Sequence, residues 1–436
     1  MKLKIFESDM GDCLLLEGDS GELMLCDGGM KASLKGHVRA ELSKLRDAGR
    51  QLDLVYVSHV DNDHISGILQ LLEDEAEWRV FDLHQANGDP IREPRIPRPP
   101  VIKGILHNAF RDQVRANNKE IENLLVASAP ALYASAVPEL IQAADEMQGI
   151  AAGIPEALKV SRLVSPDALD IPMNKPPGVA DAATLLFAGQ PGAEFVLGSM
   201  KFTLIGPTKK ELASLAKGWN TWLRNNQAEV RTIRAELRQR IDDFSSGALT
   251  TSPYDLRDWN GIPDLKGVSA PNVASLMFMV EESGRRLLLT GDGQQDVILE
   301  GLKRTGFLDA GFVHIEALKV QHHGSENNMN EDFARRVSAD HYVFCGNGSH
   351  HNPEIKVIDM VFASRLGKAS VRALAPEAQN RDFHFWFSTT SEASPEGLER
   401  REIFAEVEEH VAHLETQSEG RLHLHFNNGA FSLLVI

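Results

Sequence analysis

The chain has 436 residues, with 45 Lys and Arg against 62 Asp and Glu, a formal net charge of −17. That length suffices for one large α/β domain with insertions or for two or three smaller domains. The acidic balance excludes a protein that coats nucleic acid through bulk electrostatics, though not a local basic surface. Three cysteines, Cys13, Cys26 and Cys345, lie far apart with no CxxC, which argues against a disulfide framework or a thiolate zinc site and fits a reducing cytoplasm. The N-terminus meets acidic residues too soon for a signal-peptide core, and no apolar run reaches the roughly 18 residues of a membrane span. A soluble, cytoplasmic protein with no membrane contact is expected.

In chain order, residues 3–6 and 13–17 alternate as β-strands, a Gly-Asp-Ser-Gly turn follows at 18–21, and residues 22–26 form a strand ending at Asp27-Gly28-Gly29. Residues 36–48 have the spacing of an amphipathic helix, 52–57 of a strand, and 65–72 of a helix. A further strand is expected around 78–83. Residues 88–100 hold five prolines and three arginines, which breaks regular structure. An Ala- and Leu-rich segment, about 108–153, reads as a helical insertion closed by the Pro-rich stretch 166–177. Strand signals resume at 184–187 and 201–205.

Residues 208–243 read as one long helix or a helix pair. Lys210, Lys217, Arg224, Arg231 and Arg238 recur there every seven residues, a spacing that would let one face track a phosphodiester backbone. Glu211, Glu229 and Glu236 equally suit an ordinary solvated face. The second half is β-rich at 275–280, 286–289, 317–320, 342–345, 371–374 and 383–387. A helix near 398–413 precedes an expected hairpin, 422–426 and 431–436, turned at Asn427-Asn428-Gly429. Two β-rich halves imply two sheets packed together.

Residues 58–67 read Ser-His-Val-Asp-Asn-Asp-His-Ile-Ser-Gly, directly after an apolar strand. His59, Asp61, Asp63 and His64 at one strand end are hard to explain as packing. A buried carboxylate is costly unless paired or metal-bound, so the run points to a divalent-metal site. The same order of strand then ligand recurs at Thr290-Gly291-Asp292-Gly293, at Gln321-His322-His323-Gly324-Ser325, and at Gly348-Ser349-His350-His351.

Together, Asp27-Gly28-Gly29, the His-x-Asp-x-Asp-His run, the Thr-Gly-Asp turn and the His-His-Gly-Ser segment resemble the metallo-β-lactamase superfamily. The branch most similar is the hydrolase domain of the competence protein ComEC and its soluble relatives. The resemblance spans residues 1–87 and about 177–360. It implies an α/β fold, an αββα metallo-β-lactamase sandwich, with a helical insertion and a C-terminal α+β extension. The divisions are 1–97 and 177–365 for the two halves of the hydrolase, 98–176 for the insertion and 366–436 for the extension.

The resemblance also implies a two-metal site at one edge of the sheets. His59 and Asp61 with His322 would hold one divalent ion, Asp63, His64 and His350 the other, and Asp292 would bridge. Asp63, Asp292 and His323 would stand at the chemistry, and Asp27, Gly28, Gly291, Gly324 and Ser325 would shape the turns around it. Whether His322 or His323, and His350 or His351, binds metal stays open, as does an added role for His107. Asp61 stands where the commonest superfamily pattern has His, which hardens the site and favours manganese or magnesium relative to zinc.

A hydroxide activated between two ions implies hydrolysis. A phosphodiesterase or nuclease is the leading expectation, with nucleic acid or another phosphodiester as substrate and a protein partner as a source of positive surface. The alternatives are a hydrolase of small esters, lactones or phosphorylcholine-type compounds, and a subunit of a multiprotein, defence-related assembly.

Overall fold

A computed structural model describes residues 1–108, 159–213 and 274–436. Six strands form one sheet: β1 (Lys2–Phe6), β2 (Leu14–Glu17), β3 (Leu23–Cys26), β4 (Leu54–Val57), β5 (Ile105–His107) and β14 (Phe431–Val435), in the order β14-β1-β2-β3-β4-β5. Eight form the other: β6 (Glu194–Leu197), β7 (Met200–Gly206), β8 (Met277–Glu282), β9 (Arg285–Leu289), β10 (Val313–Lys319), β11 (Val337–Phe344), β12 (Phe383–Phe387) and β13 (Leu422–Phe426), ordered β13 to β6.

Side-chain alternation builds the layers, because successive residues of a strand point to opposite faces. On β11, Tyr342 and Phe344 join the core beneath the outer helices, while Val343 joins Tyr56, Phe202, Phe278 and Leu287 between the sheets. Helices α1 (Arg39–Asp47) and α2 (Asn62–Asn87) follow strands of the first sheet. Helices α3 (Gln295–Arg304), α4 (Glu331–Arg336), α5 (Ile355–Leu366) and α6 (Glu399–Gln417) accompany the second. The result is an αββα sandwich. Strands β3, β4 and β5 are parallel, as are β9 to β13, so each set gathers its C-terminal ends at one edge, where turns are free to carry ligands.

Several expected elements differ. The strand expected at 78–83 is part of α2, since Trp78 packs edge-on against Phe81 one turn later while Val80 and Leu83 stay exposed. Residues 184–187 form no strand. The Asn108 side chain instead clamps the backbone of Leu186, donating to its carbonyl at 2.8 Å and accepting from its N–H at 2.7 Å. Residues 371–374 also form none, and Leu374 N donates to Arg335 O at 2.8 Å.

The expected C-terminal hairpin is absent, because its two strands join different sheets: β13 pairs with β12 in parallel and β14 with β1 antiparallel. The C-terminal segment thus extends both sheets. Strand β5 lies inside the segment assigned to the insertion; residues 109–158 of that segment are outside the described residues. So are Lys217, Arg224, Arg231 and Arg238 of the cationic stripe, whereas Lys210 lies in a helical stretch at 209–213. No described helix is long and apolar enough to cross a membrane.

One close approach fixes how α2 meets the first sheet. A Cβ on Gly67 would stand 1.9 Å from Gly28 O, and one on Gly28 would stand 2.4 Å from Ile68 N. Both contacts are to backbone, which cannot swing aside. Gly67→Ala is therefore expected to lower stability by about 3 kcal/mol, the upper range for overpacking, read as a shifted urea midpoint at unchanged slope.

Candidate metal centre

The site residues sit on the turns that follow parallel strands. Ser58 and His59 follow β4, Asp61 is the N-cap of α2, and Asp63 and His64 lie in its first turn. Asp292 follows β9, and His322 and His323 follow β10. Gly291, at φ 50°, has no room for a side chain, since a Cβ would be 2.8 Å from that of Ser58. His322 and His323 take left-handed φ of 47° and 56°, uncommon for residues with side chains and frequent at functional sites.

Each of four imidazoles has its Nδ1 held, leaving Nε2 to face the carboxylates. Asp27 takes His64 Nδ1 at 2.9 Å, Asp12 takes His323 Nδ1 at 3.0 Å, and Asn328 Oδ1 takes His322 Nδ1 at 2.7 Å. Ser58 Oγ donates to Asp27 at 2.7 Å and so accepts from His59 Nδ1 at 3.0 Å. Such partners fix tautomer and ring orientation. On the other side, His59 Nε2 lies 3.4 Å from both Asp61 and Asp292, and His322 Nε2 lies 3.6 Å from Asp292. His323 Nε2 lies 3.1 Å from Asp63 and 3.3 Å from His64 Nε2, which is itself 3.4 Å from Asp292.

Two groups of ligand-type atoms result, His59 with Asp61 and Asp292, and Asp12 with His64, Asp292 and His323. Asp292 belongs to both. Within the first group His59 Nε2, Asp61 Oδ1 and Asp292 Oδ1 are buried without a hydrogen-bond partner among the described residues. A buried lone pair so left costs free energy unless something cationic receives it. The donor set of imidazole nitrogen and carboxylate oxygen fits a pair of divalent cations.

The charges report the same strain. Burial opposes protonation of His59, yet Asp61 and Asp292 push its pKa up to about 9. Burial opposes it at His323 too, but Asp292 and Asp12 push that group up to about 10. Burial works to raise Asp63 and Asp292, and the surrounding imidazoles hold both below the usual carboxylate range. Without metal, His59, His64 and His323 are driven toward the protonated form and serve as substitute cations.

The remaining expected residues are distributed as follows. Asp27 sits beneath the site, tying Ser58 to His64, and Gly28 makes the contact with α2 described above. His350 and His351 line a cavity of about 680 Å³ beside the carboxylates, along with Ser325. Gly324, at φ 94°, packs against Pro353. His107 is fully buried on β5, and burial followed by the charge of His59 lowers its pKa to about 4.

Four contributors were not legible as site residues: Asp12, Asn328, Lys319 and Arg400. Asp12 and Asn328 look like ordinary turn polars. Lys319, within a strand, pairs with Asp12. Arg400, from α6, lines the cavity wall and is held by Asp9 at 2.8 Å. A run of ligand residues in the sequence carries no sign of distant partners such as these.

Residues 8–75 match the family model described as metallo-beta-lactamase superfamily. Among solved structures, the chain is similar to zinc-bound PqqB from Methylobacterium extorquens, with 10% identity over 100% of both chains and a TM-score of 0.30. It is also similar to a HARLDQ-motif mutant of a metallo-beta-lactamase from Cronobacter sakazakii, with 10% identity over 95% of this chain and 93% of that one and a TM-score of 0.24. Likeness this weak says nothing about activity. No curated protein matched.

Proposed function

We propose, from the superfamily match at residues 8–75 and the two ligand groups that share Asp292, that this chain is a two-metal hydrolase of phosphodiesters. The observation that carries the reading is the convergence of four oriented imidazoles on Asp61, Asp63 and Asp292. So many carboxylates make a hard donor set, suited to manganese or magnesium and to substrates with phosphate oxygens. The order of the motifs supports the ComEC-type branch.

Divalent ions held there would supply Lewis-acid activation of water and of the phosphoryl centre. The protein's own part is to place charge. Asp292 spans both groups, and Asn328 braces it by donating to its carbonyl at 2.9 Å while orienting His322. Arg400 is among the residues that line the cavity, and its guanidinium is held by Asp9; a cation there would suit an anionic substrate group. Arg400→Gln is expected to raise KM for a phosphodiester about tenfold, the worth of one charge-assisted hydrogen bond, with bound metal unchanged by elemental analysis.

The test is a turnover panel with Mn²⁺, Mg²⁺ and Zn²⁺. Bis(p-nitrophenyl) phosphate, single- and double-stranded DNA, RNA and cyclic dinucleotides stand on one side, p-nitrophenyl acetate and a lactone on the other. Ester or lactone turnover with no phosphodiester cleavage overturns the proposal. A second reading, a small-molecule hydrolase, is favoured by the acidic cavity rim, where Glu354 and Glu399 stand beside the site and would repel a long polyanion. Cleavage of the nitrophenyl diester without any nucleic acid supports that version.

A further inference from the structure

Lys319, at the end of β10, is only 1% exposed, yet the hydrolysis proposed above gives it no task. Its Nζ pairs with Asp12 Oδ2, donates to Gly291 O at 3.1 Å and lies 3.8 Å from Asp292 Oδ1. Its carbonyl accepts from Thr290 Oγ1 at 2.7 Å. The other oxygen of Asp12 accepts from His323 Nδ1 at 3.0 Å. Lys319 thus touches the turn that carries Asp292 on one side and the carboxylate that orients His323 on the other.

We propose that Lys319 is a positioning residue that assembles one of the two metal groups, the one in which His64, Asp292 and His323 gather beside Asp12. The proposal rests on the reading of those residues as ligands. A flexible ammonium stays buried only where fixed acceptors surround it, and here the acceptors are a backbone carbonyl and a carboxylate. That pairing has a cost if broken. Without Lys319, Asp12 loses the ammonium paired with its Oδ2, so the carboxylate either abandons His323 or turns its freed oxygen toward the metal. Both outcomes disturb the ring whose Nε2 stands 3.1 Å from Asp63. The histidines of the other group are oriented without Lys319, His59 by Ser58 and His322 by Asn328, so that group should feel its loss less.

The test is Mn²⁺ titration of the metal-free full chain by calorimetry, with circular dichroism as the check on folding. Wild type binds two ions. Lys319→Met binds the first as wild type does and the second at least tenfold more weakly, the usual effect of losing an orienting partner. The pair Asp12→Asn with Lys319→Met removes both charges but keeps an acceptor for His323, and its second-ion affinity returns to within about threefold of wild type. Asp12→Ala with Lys319→Met lacks that acceptor and stays tenfold weaker. If Lys319→Met alone does not fold, the two charge-neutral pairs carry the comparison.

Two ions bound normally by folded Lys319→Met, equal weakening of both, or equal affinities in the two pairs would each overturn the proposal. A wild-type chain that binds fewer than two ions overturns the metal-centre reading, and this inference with it, before any variant is made.

Discussion

Asp292→Asn is expected to lower turnover by on the order of 10³-fold or more and to bring bound metal below two ions per chain. Asp292 is the carboxylate common to both ligand groups. Its Oδ1 lies 3.4 Å from His64 Nε2, while its Oδ2 lies 3.4 Å from His59 Nε2 and 3.6 Å from those of His322 and His323. An amide keeps the shape but offers one neutral oxygen where two anionic ones stood. Three orders of magnitude correspond to about 4 kcal/mol of barrier, within the several kcal/mol that metal-ion charge stabilisation supplies. Turnover of the nitrophenyl diester and elemental analysis of the same preparation check the result together. Activity retained with two ions bound would remove Asp292 from the mechanism. Asp61→Asn makes the contrast, since Asp61 belongs to one group alone and its loss leaves the second ion in place.

Metal removal and pH act on the centre in linked fashion. In the metal-free protein His59 and His323 hold their protons up to about pH 9 and 10, so ion binding at pH 7 must expel them. Metal affinity therefore rises from pH 6 to pH 9. Calorimetry in buffers of different ionisation enthalpy is expected to show more than one proton released per chain.

Stability moves the other way without metal. Both folded-state pKa values lie above the unfolded histidine value of about 6.5. Their contribution is complete below that pH and is lost as pH rises through 9 to 10. Metal loading reverses the trend and stabilises by about 4 kcal/mol when free ion exceeds Kd a thousandfold. The gap in Tm between loaded and chelator-treated protein should widen from pH 6 to pH 9. A gap that narrows, or binding with no proton release, would mean that these imidazoles are not ligands.

The legible parts of the site were those written within a few residues of one another. The apolar run before His59, and the turns at Asp292 and His322, announce strand ends that carry ligands because strand, turn and donor are contiguous. Alternation continued from Leu318 and Val320 would turn only one of His322 and His323 toward the carboxylates. Left-handed backbone at both residues ends the alternation, so both rings reach the carboxylates. His323 accompanies Asp63 and His64, the pair for which His350 was expected, while His350 lies on the cavity wall.

The sequence by itself determined the order of most strands and helices, the layered α/β class, and which short segments bear imidazoles and carboxylates. Alternation and turn chemistry act between near neighbours, and those leave a readable pattern. Only the tertiary structure decided that Asp12 orients a histidine 311 positions away, that Arg400 reaches back to Asp9 across 391, and that the last two strands part into different sheets. Those pairings depend on chain closure and on which buried charge finds which partner. No local periodicity encodes that choice.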